Sequence, residues 1–125
     1  MNAFSMARTA YGAGSTPVRT ERGIEYEAFA RVTGRLRGAV NLGRQGFAQL
    51  AEALHDNRML WTTLAGCVAD PENRLPEALR ARIFYLQEFT DHHSARVLDG
   101  TASADALIDI NTAIMRGLNQ GEQPT

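Results

Sequence analysis

The sequence predicts an all-α protein, a small bundle of about four helices with mobile N- and C-terminal tails. No segment shows the sustained two-residue alternation of a strand, whereas apolar residues recur at helical spacing in four segments. Glycine and proline separate these segments, as they do at helix ends. With 125 residues, 44% hydrophobic and 22% charged, the chain is long enough for one modest core.

We divide the chain into three parts. Residues 1–20 are small and polar, contain glycine and are interrupted by Pro17, which predicts a flexible N-terminal segment. Residues 21–118 form the predicted helical domain. Residues 119–125 form a polar C-terminal tail.

The first helix begins near Ile24. Four glycines between positions 34 and 46 each weaken a helix by about 1 kcal/mol relative to alanine, so we expect a break near residues 41–43. Without this break the first two helices would merge and the bundle would have three helices. The apolar face repeats every fourth residue: Ile24, Ala28, Val32, Leu36 and Val40.

The second helix is predicted over residues 44–68. Asn57 lies on its apolar stripe, where a buried amide must find hydrogen-bond partners. Asp70-Pro71 ends the helix, because the residue before a proline is disfavoured in helical geometry. The stripe is Phe47, Leu50, Leu54, Asn57, Trp61, Leu64 and Val68.

Two further helices complete the prediction. The third starts after residues 73–76 with Glu77 in its first turn and stops at Gly100, and the fourth has Ser103 as its N-cap. Ile108 and Met115 widen the apolar arc of the last helix and leave room for a partner helix. The stripes are Leu79, Ile83, Leu86, His93 and Val97 in the third helix, and Leu107, Ile110, Ile114 and Leu118 in the fourth.

Charge and composition give little support to nucleic-acid or membrane binding. All 13 basic residues are arginine; residues 1–50 hold seven of them against three Glu, and the remainder holds six against eleven acids. No basic tract is interleaved with aromatic residues, which disfavours direct nucleic-acid binding. No apolar run approaches the roughly 20 residues that span a bilayer. The N-terminus lacks an apolar signal core and Cys67 is the only cysteine, which together predict a cytoplasmic protein.

The residue spacings do not favour an enzyme or a metal protein. His92 and His93 are adjacent, so on a helix they point about 100° apart and share one metal poorly. We therefore interpret His93 as a residue at the edge of the core with one nitrogen satisfied. Cys67 lies near a helix C-terminus, where the dipole opposes a reactive thiolate. We expect no catalytic residues, no metal and no cofactor.

Asn57, Arg58 and Trp61 form the candidate group, since they lie within one helical turn of each other. In a structural interpretation, Trp61 anchors the core, Asn57 bonds a loop carbonyl and Arg58 pairs with an acid. In a functional interpretation, the group belongs to a recognition surface, because Trp and Arg are enriched at interface hot spots. Both interpretations hold if Asn57 braces the loop at residues 70–76 and this loop shapes the recognition surface. Asn111 on the last helix is a second candidate, on a stripe that is either core or docking face.

These segments together resemble the flagellar biosynthesis regulator FlaF family. The resemblance runs in order along nearly the whole chain, and its most specific part is the pair of asparagine motifs around Trp61 and Pro76. The matching pieces are Ala10-Tyr11, Ile24-Glu25-Tyr26, Ala53-Leu54, Asn57-Arg58-x-Leu60-Trp61, Asp70-Pro71-x-Asn73-x-Leu75-Pro76, Leu79-Arg80, Leu107-Ile108-Asp109-Ile110-Asn111, Ile114 and Gly117-Leu118.

The resemblance implies a non-catalytic cytoplasmic protein that binds flagellin as a secretion chaperone and supports its synthesis and export. It also implies a link to the translational regulator FlbT. The alternative is a post-transcriptional regulator acting on flagellin mRNA, directly or through that repressor. Which apolar face is groove and which is core stays open, since Leu60, Phe84 and Tyr85 lie off the main stripes. The residues assigned to flagellin binding are Asn57, Arg58, Leu60, Trp61, Asn73, Leu75, Asn111, Ile114 and Leu118.

Overall fold

The computed structural model describes residues 26–122, with side chains described to residue 117. Within this part of the chain there are four α-helices, one short 3-10 helix and no strand, which confirms the all-α prediction. The predicted N-terminal segment at residues 1–20 lies outside the described residues, as do residues 123–125. The helices are α1 (Tyr26–Asn41), α2 (Phe47–Ala69), α3 (Glu77–Leu98) and α4 (Asp105–Glu122).

The predicted break between the first two helices is confirmed. α1 ends at Asn41, and Gly43 follows with a φ of 66°, a conformation that glycine adopts at little cost. The 3-10 helix Gly43–Gly46 comes next, so α2 begins at Phe47 and not at residue 44 as predicted. Gly46 is required for space, because an added Cβ would lie 2.5 Å from the Cβ of Leu42 and 2.8 Å from the Ala39 carbonyl oxygen.

The other helix ends lie close to their predicted positions. After α2, Asp70 is extended at φ −65° and ψ 127°, as expected before Pro71. α3 is followed by Gly100 at φ 81°, and the Asp105 N–H donates to the Ser103 Oγ at 3.0 Å as an N-cap bond. α4 continues through Glu122, so residues 119–122 of the predicted C-terminal tail are helical.

The four helices pack into one bundle. α2 packs against both α1 and α3, and α4 returns to pack against α1. α3 and α4 approach each other at only a few positions, and the backbones of α2 and α4 lie diagonally across the bundle without close approach. Over residues 26–122, no helix is both long and apolar enough to cross a membrane.

The core consists of two large apolar clusters, one toward each end of the bundle, and a small third cluster of Ala28 and Cys67. The first, here the Trp61 cluster, comprises Phe29, Trp61, Leu64, Val68, Leu75, Ile83 and Met115. The second, here the Leu54 cluster, comprises Leu36, Ala53, Leu54, Val97, Ala104 and Leu107.

The predicted stripes agree with burial over most of α1, α2 and α3, but not in α4. There the buried row is Leu107, Asn111 and Met115, whereas Ile110 and Ile114 of the predicted stripe are only half-buried.

The stripes are also wrong where α1 ends and α2 begins. Val40 is 37% exposed and Phe47 is 56% exposed, although both belong to predicted apolar faces. Ala39 and Gly46, one residue earlier in each case, are buried instead, so the buried face does not follow the predicted spacing at the end of α1 and the start of α2. Ile24 lies outside the described residues.

Candidate functional site

A hydrogen-bonded chain of one indole and two amides crosses the centre of the bundle. The Trp61 Nε1 donates to the Asn111 Oδ1 at 2.9 Å, and the Asn111 Nδ2 donates to the Asn57 Oδ1 at 2.8 Å. All three residues are fully buried, and Phe29 packs edge-on against the indole with ring centroids 5.6 Å apart. Because Asn57 and Trp61 are one turn apart, a single residue of α4 reaches both of them. This chain therefore joins the two diagonal helices.

The structural interpretation of the candidate group is correct for two of its three residues. Trp61 anchors the core, and the Arg58 Nε lies 3.2 Å from the Asp91 Oδ1 in a half-exposed ion pair. Asn57 does not bond a loop carbonyl, so that prediction is wrong. Its Oδ1 instead accepts a hydrogen bond from Asn111. Periodicity alone does not reveal that Asn111 lies across the bundle from Asn57.

Asn73, not Asn57, braces the loop between α2 and α3. Its Nδ2 donates to the Cys67 carbonyl oxygen at 3.2 Å, and its Oδ1 accepts the Leu75 N–H at 2.9 Å. These two bonds close the loop over the end of α2. Leu75 is thereby held at 3% exposure in the Trp61 cluster.

Each helix contributes a fully buried polar residue between the two apolar clusters. In α1 and α2, the contacts Phe29–Trp61 and Arg35–Asp56 set the register and place Thr33 level with Asn57. The Arg58–Asp91 contact places the polar positions of α3 at a similar height. We call this set the polar layer: Thr33, Asn57, Thr90, Ser94 and Asn111.

Sequence reasoning missed three members of the polar layer. Thr33, Thr90 and Ser94 were not assigned to any apolar face. A signal was present in α3, because Thr90 and Ser94 continue the helical spacing between the buried Ile83 and Val97. A small polar residue at an apolar spacing was the available clue.

The residues assigned to flagellin binding do not form one exposed surface. Asn57, Trp61 and Asn111 are fully buried and Leu75 is nearly so. Leu60, Asn73 and Ile114 are half-buried, and Arg58 is exposed. Leu118 lies in α4 beyond the last described side chain. In this conformation a partner could reach only part of the set.

A strip of half-buried apolar residues is contributed by α3 and α4, whose backbones approach each other at only a few positions. The His93 Nε2 is 2.8 Å from the Ser103 carbonyl oxygen, which aligns the two antiparallel helices near that end. Leu86 lies seven residues before His93, and Ile110 lies seven residues after Ser103, so the two residues are at similar heights in the bundle. We call the following four residues, which pack against the Trp61 cluster, the apolar strip: Leu79, Leu86, Ile110 and Ile114.

The histidine and the cysteine considered for metal or thiol chemistry pack against neighbouring side chains of the bundle. His93 stacks on Phe89 with ring centroids 5.1 Å apart, and its Nε2 contact with Ser103 agrees with the predicted core-edge role. Cys67 is 1% exposed and packs with Ala28 and Leu60. Among residues 26–122, no group of three or more His, Cys, Asp or Glu is arranged to hold a metal ion.

Comparison with known proteins gives one match. The family model described as flagellar protein FlaF matches residues 7–118, which include α1, α2, α3 and most of α4. No curated protein and no solved structure matches the chain.

Proposed function

The chain belongs to the FlaF family of flagellar proteins, and we propose that it binds flagellin as a secretion chaperone that supports flagellin synthesis and export. The observation that carries this proposal is the apolar strip. An amphipathic helix commonly binds by laying its apolar face into a groove between two helices. The scarcity of close approaches between α3 and α4 is compatible with such a place.

The chemistry of the strip suits a helical client. Leu79 and Leu86 on one side, with Ile110 and Ile114 on the other, supply side chains that are only partly covered by the protein itself. A client helix between them would cover apolar surface of both proteins, at about 25 cal/mol for each Å² removed from water. Ile114 belongs both to the strip and to the set assigned from sequence.

The proposal is tested by calorimetric titration of the purified protein with flagellin, and with flagellin truncated at either terminus. We expect saturable one-to-one binding that one truncation abolishes. The variant Leu86→Ser/Ile114→Ser should bind about tenfold more weakly or worse, since a few buried anchors dominate interface energies. Met59→Ser is the matched control, because Met59 is apolar, 52% exposed and on α2 outside the strip.

Two results would contradict the proposal. Unchanged affinity of the double variant, with helicity intact by circular dichroism, would exclude the strip as the binding site. Absence of binding at protein concentrations of about 50 μM, where even weak complexes form, would exclude the chaperone role itself.

The alternative, direct action on flagellin mRNA, receives less support from the surface of α1. Arg35 pairs with Asp56 at 3.1 Å, and the Arg37 Nη2 donates to the Thr112 Oγ1 at 3.1 Å. These guanidinium groups already have partners within the protein, whereas phosphate binding draws on cations that face outward. Regulation through FlbT remains compatible with a protein that binds flagellin.

A further inference from the structure

The polar layer makes the centre of the bundle different from its two ends. Four of its side-chain atoms have no hydrogen-bond partner in the protein: Thr33 Oγ1, Asn57 Nδ2, Thr90 Oγ1 and Ser94 Oγ. Water can bond these groups once they are exposed, so separating the helices at this level returns hydrogen bonds that the closed bundle does not make. Separating the helices at the polar layer therefore costs less free energy than separating them at an apolar layer of the same area.

Of the four helices, α4 has the attachments best suited to release. Its close backbone packing is against α1, whereas it approaches α3 at only a few positions and does not closely approach the α2 backbone. Over residues 105–117, its side-chain hydrogen bonds to the other helices are those of Asn111 inside the bundle and the exposed Arg37–Thr112 contact. The exposed residues 99–101 precede it, with Gly100 in a positive-φ conformation where the chain can turn.

The buried side chains of α4 indicate which kind of helix fits the surface that α4 covers. Leu107, Asn111 and Met115 are spaced by four residues and are all buried, so they form one row along the helix. The carboxamide of Asn111 meets the Asn57 amide and the Trp61 indole, and the apolar side chains enter the two clusters on either side. The surface therefore accepts a helix with a carboxamide between two apolar turns.

We propose that α4 is a displaceable cover and that the face beneath it is a docking surface for an amphipathic helix carrying a carboxamide between two apolar turns. This inference rests on the proposed function for the identity of the occupant, which is a flagellin helix. With α4 displaced, the client would lie in its place and contact the buried residues Asn57 and Trp61 together with Leu79 and Leu86, the α3 half of the apolar strip, instead of lying between α3 and α4. The opening of α4 itself requires no flagellin.

The opening is tested by hydrogen exchange on the free, full-length protein at increasing urea concentrations below unfolding. We expect the protected amides at residues 107–115 of α4 to exchange through a partial opening, with a smaller urea dependence than those at residues 54–64 of α2. If the slowest amides of both helices exchange with the same urea dependence, α4 does not open on its own and the inference is overturned.

The docking surface is tested by repeating the exchange measurement with saturating flagellin. Displacement predicts that α4 amides lose protection while α2 amides keep theirs. If flagellin binds and the α4 amides instead gain protection, the client occupies the outer strip with α4 in place. That result would overturn this inference and leave the chaperone proposal intact.

Specificity for the carboxamide is tested with a labelled peptide of residues 103–122 added to the full-length protein. The peptide should bind saturably, and the matched peptide with Asn111→Leu should bind about tenfold more weakly, because it leaves the indole N–H unpaired. Equal binding of the two peptides, or no binding of either, would contradict the docking surface. Because this arm contains no flagellin, it separates failure of the inference from failure of the proposed function.

Discussion

Asn111 makes the two side-chain hydrogen bonds that join α4 to α2, and both of its partners are fully buried. Asn111→Ala should lower the free energy of unfolding by about 2–4 kcal/mol, because it leaves a buried donor and a buried acceptor unpaired. Urea unfolding followed by circular dichroism measures the effect.

Asp109→Ala is the control for this substitution, since Asp109 lies on the same helix and is exposed. We expect a change within about 0.5 kcal/mol for the control. If the two variants are equally stable, the amide–indole chain contributes nothing to the fold.

At the residue scale, the sequence identified the three residues of this chain but neither of the bonds between them. The spacing of Asn57 and Trp61 placed them on one buried face, and Asn111 was singled out separately on the last helix. Periodicity gives the direction of a side chain around its own helix and says nothing of the helix across the bundle. The partner of Asn57 is 54 residues away, so the bond itself could not be predicted.

At the element scale, the turn between α1 and α2 depends on the lack of a side chain at Gly46. Gly46→Ala should destabilise the protein by about 1–3 kcal/mol, because the added Cβ meets the Leu42 Cβ and the Ala39 backbone, neither of which can easily move. Thermal unfolding measures the change.

Gly34→Ala is the matched substitution within α1, where an added Cβ has no atom within 4 Å. It should stabilise the protein by about 0.5–1 kcal/mol, as alanine is the better helix former. Equal effects of the two substitutions would show that the close approach at Gly46 does not constrain the turn.

The helix ends were predictable because local chemistry determines them. Pro71, Gly100 and Ser103 act within a few residues of their own positions, and the structure places a helix end at each. The errors at Val40 and Phe47 have another origin, since a stripe does not reveal which of two adjacent residues faces the partner helices, and Ala39 and Gly46 are buried in their place. The stripes likewise did not show that the assigned residues Asn57, Trp61 and Asn111 are fully buried.

At the scale of the whole molecule, the two apolar clusters are expected to unfold together as one domain. Leu36→Ala and Leu64→Ala each truncate a fully buried leucine, one in each cluster, and each should cost about 2–5 kcal/mol. For each variant, the transitions by circular dichroism and by Trp61 fluorescence should coincide. Separate midpoints for the two probes would show that the clusters unfold as independent units.

The fold class and the family were accessible from sequence, whereas the arrangement of the site was not. Both the helical spacings and the ordered motifs are properties of one chain read along its length, and the family match over residues 7–118 supports them. The apolar strip depends on how loosely α3 and α4 pack against each other, and the polar layer depends on the register of the four helices. Such features depend on how elements pack.

Cys67 lies 1% exposed beneath Leu60 and is the only cysteine of the chain. Maleimide dyes modify thiols that they can reach, so the folded protein should be nearly inert to them. A cysteine introduced at the exposed position of Met59 would then be the single addressable thiol under native conditions. A fluorescent dye can thus be attached to α2 through Met59→Cys without first replacing Cys67.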